Sequence, residues 1–146
     1  PLAALIARAG LDIAPEYALG HYTHEKNPVG CAAALAAIDV VEAEGLCDRA
    51  MELGAFALER LQELNARHPA IADVRGIGLL LGVEVEAPGG GSARLAENIL
   101  YAALDQGLSF KISMGDILTL TPPLNISRDE LNSAIDILDA AITLAA

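Results

Sequence analysis

The sequence predicts a mixed α/β chain that closes on an α+β layer, and three observations predict it. From Ile71 onward, apolar alternation and turn residues give the order strand, strand, helix, strand, strand, helix. That order places helices on one face of a small, mainly antiparallel sheet. Ahead of it, apolar residues at 46, 50, 53, 57, 61 and 64 step by three and four and trace one helical stripe. Ahead of that stripe, a polar loop feeds an unbroken run of small and apolar residues, Cys31 to Ile38.

Each element has a local reason. Leu2 to Ala7 is a short apolar run that reads as a buried strand, which needs neighbours on both sides. With Pro1 rather than an initiator Met at its start, the chain reads as the C-terminal part of a longer protein. Leu11 to Leu19 is loop, punctuated by Pro15. His21 to Lys26 is polar, and Asn27-Pro28 follows it. Asn caps a helix by accepting a free N–H of the first turn, and Pro suits the first helical position, where no N–H is needed. The helix from Pro28 to about Glu44 is apolar nearly all round, so it is expected to be buried, and its start favours anions. Gly45 ends it as a C′ residue.

The next helix runs from Leu46 to Arg67 and presents Asp48, Arg49, Glu52, Glu59, Arg60 and Glu63 on its polar face, until His68-Pro69 stops it. Residues 79, 81, 83 and 85 alternate as a strand with one buried face, and Gly76, Gly78 and Gly82 permit a tight turn or a close backbone approach. The spacing GIGLLLG is not a dinucleotide fingerprint, since its last Gly is misplaced and no helix follows. Pro88 to Ser92 is a linker turn. Ala93 to Gly107 reads as a helix with Leu95, Ile99 and Ala102 inward. Leu108 to Ile112 and Asp116 to Leu120 are short strands joined at Met114-Gly115, and Thr121-Pro122-Pro123 ends the second. Ser127 and Glu130 form a capping box, with Ile126 and Leu131 spaced as a hydrophobic staple. The last helix runs to about Leu144 on the stripe 131, 135, 138 and 142.

Composition narrows the function. Nine basic against 20 acidic residues give a net charge of −11, which argues against nucleic acid as a partner. No apolar run is long enough to span a membrane. Cys31 and Cys47, without a secretory signal, fit free thiols in a reducing, cytoplasmic setting, Cys31 as a small core residue. His21, His24 and Glu25 lack a third and fourth well-spaced ligand, so no metal site is expected. Ser109, Ser113 and the histidines form no nucleophile motif.

The stretch from Gly20 to Ala37, GHYTHEKNPVGCAAALAA, resembles the loop and helix of class III aminotransferases, which depend on pyridoxal phosphate. In that family a Thr stands four residues before an Asn-Pro, as Thr23 stands before Asn27. The Arg75-Gly76 turn into a Gly-containing strand is similar to the family's small domain. The run Asp116 to Leu124 is similar to its closing segment. The matches keep their order along most of the chain. The resemblance implies a fold type I enzyme, of which residues 1–45 end the large cofactor-binding domain, 46–69 form a connecting helix and 70–146 are the small C-terminal domain. It implies pyridoxal 5′-phosphate as cofactor, and a homodimer in which the Thr23 loop binds the phosphate held by the neighbouring subunit. It places the Schiff-base Lys upstream of Pro1, so no catalytic residue is expected in this segment, which alone should be inactive. Neither Lys26 nor Lys111 fits that position.

The reaction most implied is transfer of an amino group between a small amine or amino acid and a keto acid. Alternatives are a lyase on the same scaffold, eliminating ammonia or phosphate, and a non-catalytic dimerisation domain. Two residues bear on substrate. Lys26 stands where the family often has Gly or a small residue; it either attracts an anionic substrate group or is solvated. Thr119 stands three residues before Pro122, where many members carry an Arg that grips a carboxylate. Thr has neither charge nor fork, which points to an amino substrate without a carboxylate gripped from there. The other reading is that Thr119 merely fills a strand position and an upstream Arg does the gripping.

Overall fold

The computed structural model describes residues 3, 6–11, 16–17 and 27–145. Two compact units divide the chain, Pro1–Glu44 and Gly45–Ala146. In the first, a single 3₁₀ turn spans Ala9–Leu11 and α1 spans Pro28–Ala43. The strand expected over Leu2 to Ala7 lies largely outside the described residues, and Ala3, Ile6 and Ala7 are in no strand. The loop expected over 11–19 is likewise described only in part.

Helix α1 starts as its sequence requires. Asn27 adopts an extended backbone, and its side-chain oxygen accepts from Val29 N at 2.9 Å and Gly30 N at 3.5 Å. Gly45, past its end, has φ +59°, the left-handed conformation Gly reaches without strain. The expected burial is corrected: no residue of α1 is buried, and Val29, Leu35 and Ile38 are exposed. A helix apolar all round encodes a demand for cover on several sides, and no described residue of its unit supplies it. Cys31 is accordingly half-buried rather than a core residue.

The second unit is two layers. Helix α2 (Leu46–Arg67), α3 (Ser92–Leu104) and α4 (Arg128–Ala145) pack on one face of a four-stranded antiparallel sheet. Its strands are β1 (Ile71–Ile77), β2 (Leu80–Val85), β3 (Lys111–Ser113) and β4 (Ile117–Leu120), in the spatial order β1-β2-β4-β3. The α2 stripe is buried at all six expected positions, and so are residues 79, 81, 83 and 85, although Leu79 sits in the turn before β2. In α3 the fully covered positions are Ala96, Ile99 and Ala103; Ala102 is only partly buried, one residue off the expected stripe. A bulge between Ile71 and Asp73 lets Ile71 point into the core while Asp73 points out.

Two glycines are required by geometry. Gly78 opens the two-residue loop between β1 and β2 with φ +52°, the sign that a hairpin whose strands twist right-handed demands. Gly54, inside α2, lies against that loop: a methyl there would overlap the Gly78 carbonyl and stand 2.6 Å from its Cα.

Helix ends tie the layer together. Ser127 N donates to Glu130 Oε2 at 2.9 Å and Glu130 N to Ser127 Oγ at 3.2 Å, closing the expected capping box. The Ser127 side-chain and backbone hydrogen bonds hold the Glu130 carboxyl below the usual range. Where α2 ends, His68 Nε2 lies 2.5 Å from Asp139 Oδ1 on α4, and Arg67 donates to Asp139 Oδ2 at 2.9 Å. Burial pulls the Asp139 carboxyl upward, but the His68 and Arg67 hydrogen bonds outweigh it and hold the carboxyl below its ordinary value.

A carboxyl depressed by folding stabilises the native state above its unfolded pKa, and that contribution is lost as pH falls through its folded value. The margin of the parent protein over Asp139→Asn should therefore be largest near pH 7 and shrink below about pH 4, in urea unfolding followed by circular dichroism. A margin that stays constant down to pH 2.5 would contradict the assignment.

Candidate functional site

Of the two residues expected to bear on substrate, Thr119 lies on the helix-free face of the sheet. Pairing in an antiparallel sheet puts partners side by side on one face. Arg75 pairs with Gly82, Gly82 with Thr119, and Thr119 with Lys111, one row across all four strands. One row over, Asp73, Glu84, Ile117 and Ser113 share that face. The opposite face carries Leu81, Val83 and Leu118, which are buried under the helices.

Thr119 lies in β4, half-buried, and its Oγ1 donates to Ser113 Oγ at 2.8 Å across the β3–β4 hairpin. Arg75, distant in sequence, is in the same row, separated from Thr119 by a residue without a side chain. Its guanidinium is already engaged, by Asp73 at 2.5 Å and Glu84 at 2.7 Å, and these two hydrogen bonds raise its pKa. Arg128, exposed at the start of α4, stacks over Phe56 at 4.3 Å and reaches Glu52 at 3.3 Å, both on α2. Both Arg side chains are thus paired with carboxylates of this chain.

The sequence reading missed Ser113 and Lys111 as members of one set with Thr119. The signal was present in the hairpin, where residues 111 and 113 alternate with the inward Ile112 and face 119 and 117 across the Met114-Gly115 turn.

Thr23 and Lys26 lie outside the described residues, as do His21, His24 and Glu25. The start of α1, expected to favour an anion through its free N–H groups, is corrected in detail. Pro28 has no N–H, Val29 and Gly30 are bonded to the Asn27 side chain, and Cys31 N donates to Asn27 O at 2.9 Å. The first-turn donors are thus occupied internally. The sole Lys among the described residues, Lys111, is exposed on β3. The described residues therefore do not by themselves build a site for pyridoxal phosphate.

Two concave places lie elsewhere in the second unit. One, of about 350 Å³, is apolar and sits between β4 and α4, lined by Phe110, Leu120, Pro122, Ile126 and Leu131. The other, of about 610 Å³, is more open and lies by the Pro88–Gly91 turn and Arg94. Among the described residues, no helix is long and apolar enough to cross a membrane.

Comparison with known proteins places these observations. The family described as aminotransferase class-III matches residues 1–142. The (R)-1-hydroxy-2-aminoethylphosphonate ammonia-lyase of Vibrio splendidus is 46% identical over 145 residues, covering 97% of this chain and 30% of its own. The isoleucine 2-epimerase of Lentilactobacillus buchneri is 37% identical over 149 residues, covering 98% of this chain and 32% of its own. An amine transaminase from an uncultivated Pseudomonas species, solved with the cofactor bound, superposes with a TM-score of 0.81 at 34% identity, over 88% of this chain and 30% of that one. The chain thus spans about a third of the length of the relatives it matches.

Proposed function

Because the chain belongs to the class III aminotransferase family, we propose that it is the C-terminal portion of a pyridoxal-phosphate-dependent enzyme that eliminates ammonia from a small amino compound bearing an oxyanion other than an α-carboxylate. The family's reactions differ on one scaffold, so the fold leaves the chemistry open. The observation that carries the reading is the 46% identity to an aminophosphonate ammonia-lyase, higher than that to the epimerase or the transaminase above. Thr119, uncharged and bonded to Ser113, agrees with it, since a fork for a planar carboxylate is missing at that place. Amino transfer, the expectation that the family name favours, is the second reading; the transaminase superposition supports it.

Pyridoxal 5′-phosphate is the cofactor of this family. In the proposed assembly residues 1–45 end the large domain, 46–69 connect, and 70–146 form the small domain. Two such chains pair, and each Thr23 hydroxyl donates to the cofactor phosphate held by its neighbour. Lys26 lies on the same loop and adds positive charge toward an anionic group. The Schiff-base Lys belongs to the upstream part. The apolar all-round α1 supports the domain reading, because such a helix is stable only when the remainder of a domain covers it.

The test uses the full-length enzyme loaded with cofactor. Incubation with (R)-1-hydroxy-2-aminoethylphosphonate should release ammonia without a keto acid, as read by a coupled ammonia assay. Amino transfer that runs only when a keto acid is supplied would reject elimination and establish the second reading. In the same protein, Thr23→Val should weaken cofactor affinity roughly ten- to a hundredfold, the loss of a hydrogen bond to a charged group. An unchanged titration of the apoenzyme would remove Thr23 from the phosphate site.

A further inference from the structure

We propose that Arg49 is a positioning residue: its guanidinium fixes residues 121–126, the segment into which β4 runs out, and through them holds the end of β4 in place for the substrate. The inference rests on the reading of the chain as part of a cofactor-dependent enzyme whose substrate meets β4, and it gives a role to a residue on another element.

Residues 121–126 have few ties of their own. Pro122 and Pro123 carry no N–H to donate. Ile126 N donates to Pro123 O at 3.0 Å, a bond internal to the segment. Beneath the segment lies the apolar cavity of about 350 Å³, which Pro122, Pro123 and Ile126 help to line, so packing on that side is incomplete. Among the described residues, one hydrogen bond joins the segment to another element: Arg49, on α2, donates to Ile126 O at 2.7 Å. A charged donor makes this one of the stronger kinds of hydrogen bond.

Both helices are arranged around that bond. On α2, Arg49, Glu52 and Phe56 are spaced by three and four and so share one face. Arg128, in the first turn of α4, reaches back to the same face, donating to Glu52 at 3.3 Å and lying 4.3 Å over the Phe56 ring. One Arg thus points from α2 to the chain just ahead of α4, and another points from α4 to α2. Exposed contacts of this kind contribute little to global stability. What the Arg49 bond restricts is the place of a segment with no other partner. The segment is pinned at its sheet end by the pairing of Leu120 with Leu81, and at its helix end by Arg49 and the Ser127 cap. Without Arg49 the span between would open locally, as stretches with few hydrogen bonds and few buried contacts do first.

The experiment uses the full-length, cofactor-loaded enzyme and compares Arg49→Met, Arg49→Lys and, as control, Arg67→Met, which removes another exposed tie from α2 to α4, that to Asp139. Amide hydrogen exchange over 121–127 is followed by mass spectrometry. KM and kcat are measured with (R)-1-hydroxy-2-aminoethylphosphonate, and with an amine plus a keto acid. Arg49→Met should speed exchange over 121–127 roughly tenfold or more and raise KM about tenfold at a kcat near that of the parent, the loss of one charge-assisted hydrogen bond. Arg49→Lys, which keeps a charged donor, should recover part of both, and Arg67→Met should move neither. Unchanged exchange in Arg49→Met, faster exchange with an unaltered KM, or the same changes in Arg67→Met would overturn the proposal and leave Arg49 a surface contact. The readings fail separately. A KM effect seen only in amino transfer keeps the role of Arg49 and rejects elimination. Ammonia release with an unaltered KM in Arg49→Met keeps elimination and rejects this role. Turnover of neither compound by the parent rejects the enzyme reading and this role with it.

Discussion

Gly54→Ala is expected to destabilise the second unit by about 3 kcal/mol, at the upper end of what overpacking costs. The added methyl would overlap the backbone of Gly78, and a backbone cannot rotate aside as a side chain can. Relief requires α2 to lift from the β1–β2 turn, which loosens the burial of Leu53 and Ala57 on either side of the contact. For a unit of this size the loss corresponds to a melting temperature lower by roughly 10–20 °C. Gly30→Ala is the paired control. It sits in α1 with an ordinary φ and no described residue within 4 Å of a Cβ placed there, so in this chain the same substitution should stabilise its helix by up to about 1 kcal/mol. Thermal unfolding of the two variants should shift in opposite directions. Equal shifts would mean that the α2–turn contact is not tight.

Leu138→Ala should cost about 3 kcal/mol, within the range for buried leucines. Leu138 is fully buried on the inner side of α4, which packs against both α2 and α3. Truncation leaves a cavity between three helices that are each also held by the sheet or by a cap, so little collapse can fill it. Leu144, near the end of the same helix, is 77% exposed, and its replacement by Ala should stay within about 0.5 kcal/mol. A Leu138→Ala variant as stable in urea as Leu144→Ala would show that the helices do close on the gap.

The sequence makes much of the small sheet and its helices legible because period and punctuation agree there. The α2 and α4 stripes, the alternation through Val85, the capping box and the Met114-Gly115 hairpin each rest on neighbours within a few residues, and each stands in the structure. What required the structure was long-range. Gly54 reads as an ordinary small residue on a helix, and only the docking of α2 on Gly78 gives it a task. Arg75 and Thr119 are 44 positions apart, and nothing in periodicity says that β2 inserts between β1 and β4 to bring them into one row. The exposure of α1 has a related reason: pattern states what a helix needs, and its supplier is not among the described residues of its unit. Of the candidate site, Thr119 was read from its spacing to Pro122-Pro123, whereas its bond to Ser113 and its pairing with Lys111 depend on register.

The sheet order carries one more consequence. An open sheet has two rims of unpaired amide and carbonyl groups, each a template for a foreign strand. Here the rims are β1 and β3. The first is kinked by its bulge and bears Asp73 and Arg75; the second is only three residues long and begins with Lys111. Kinks, charges and brevity are the usual defences against cross-β recruitment, so the unit is protected from polymerising rim to rim at both ends.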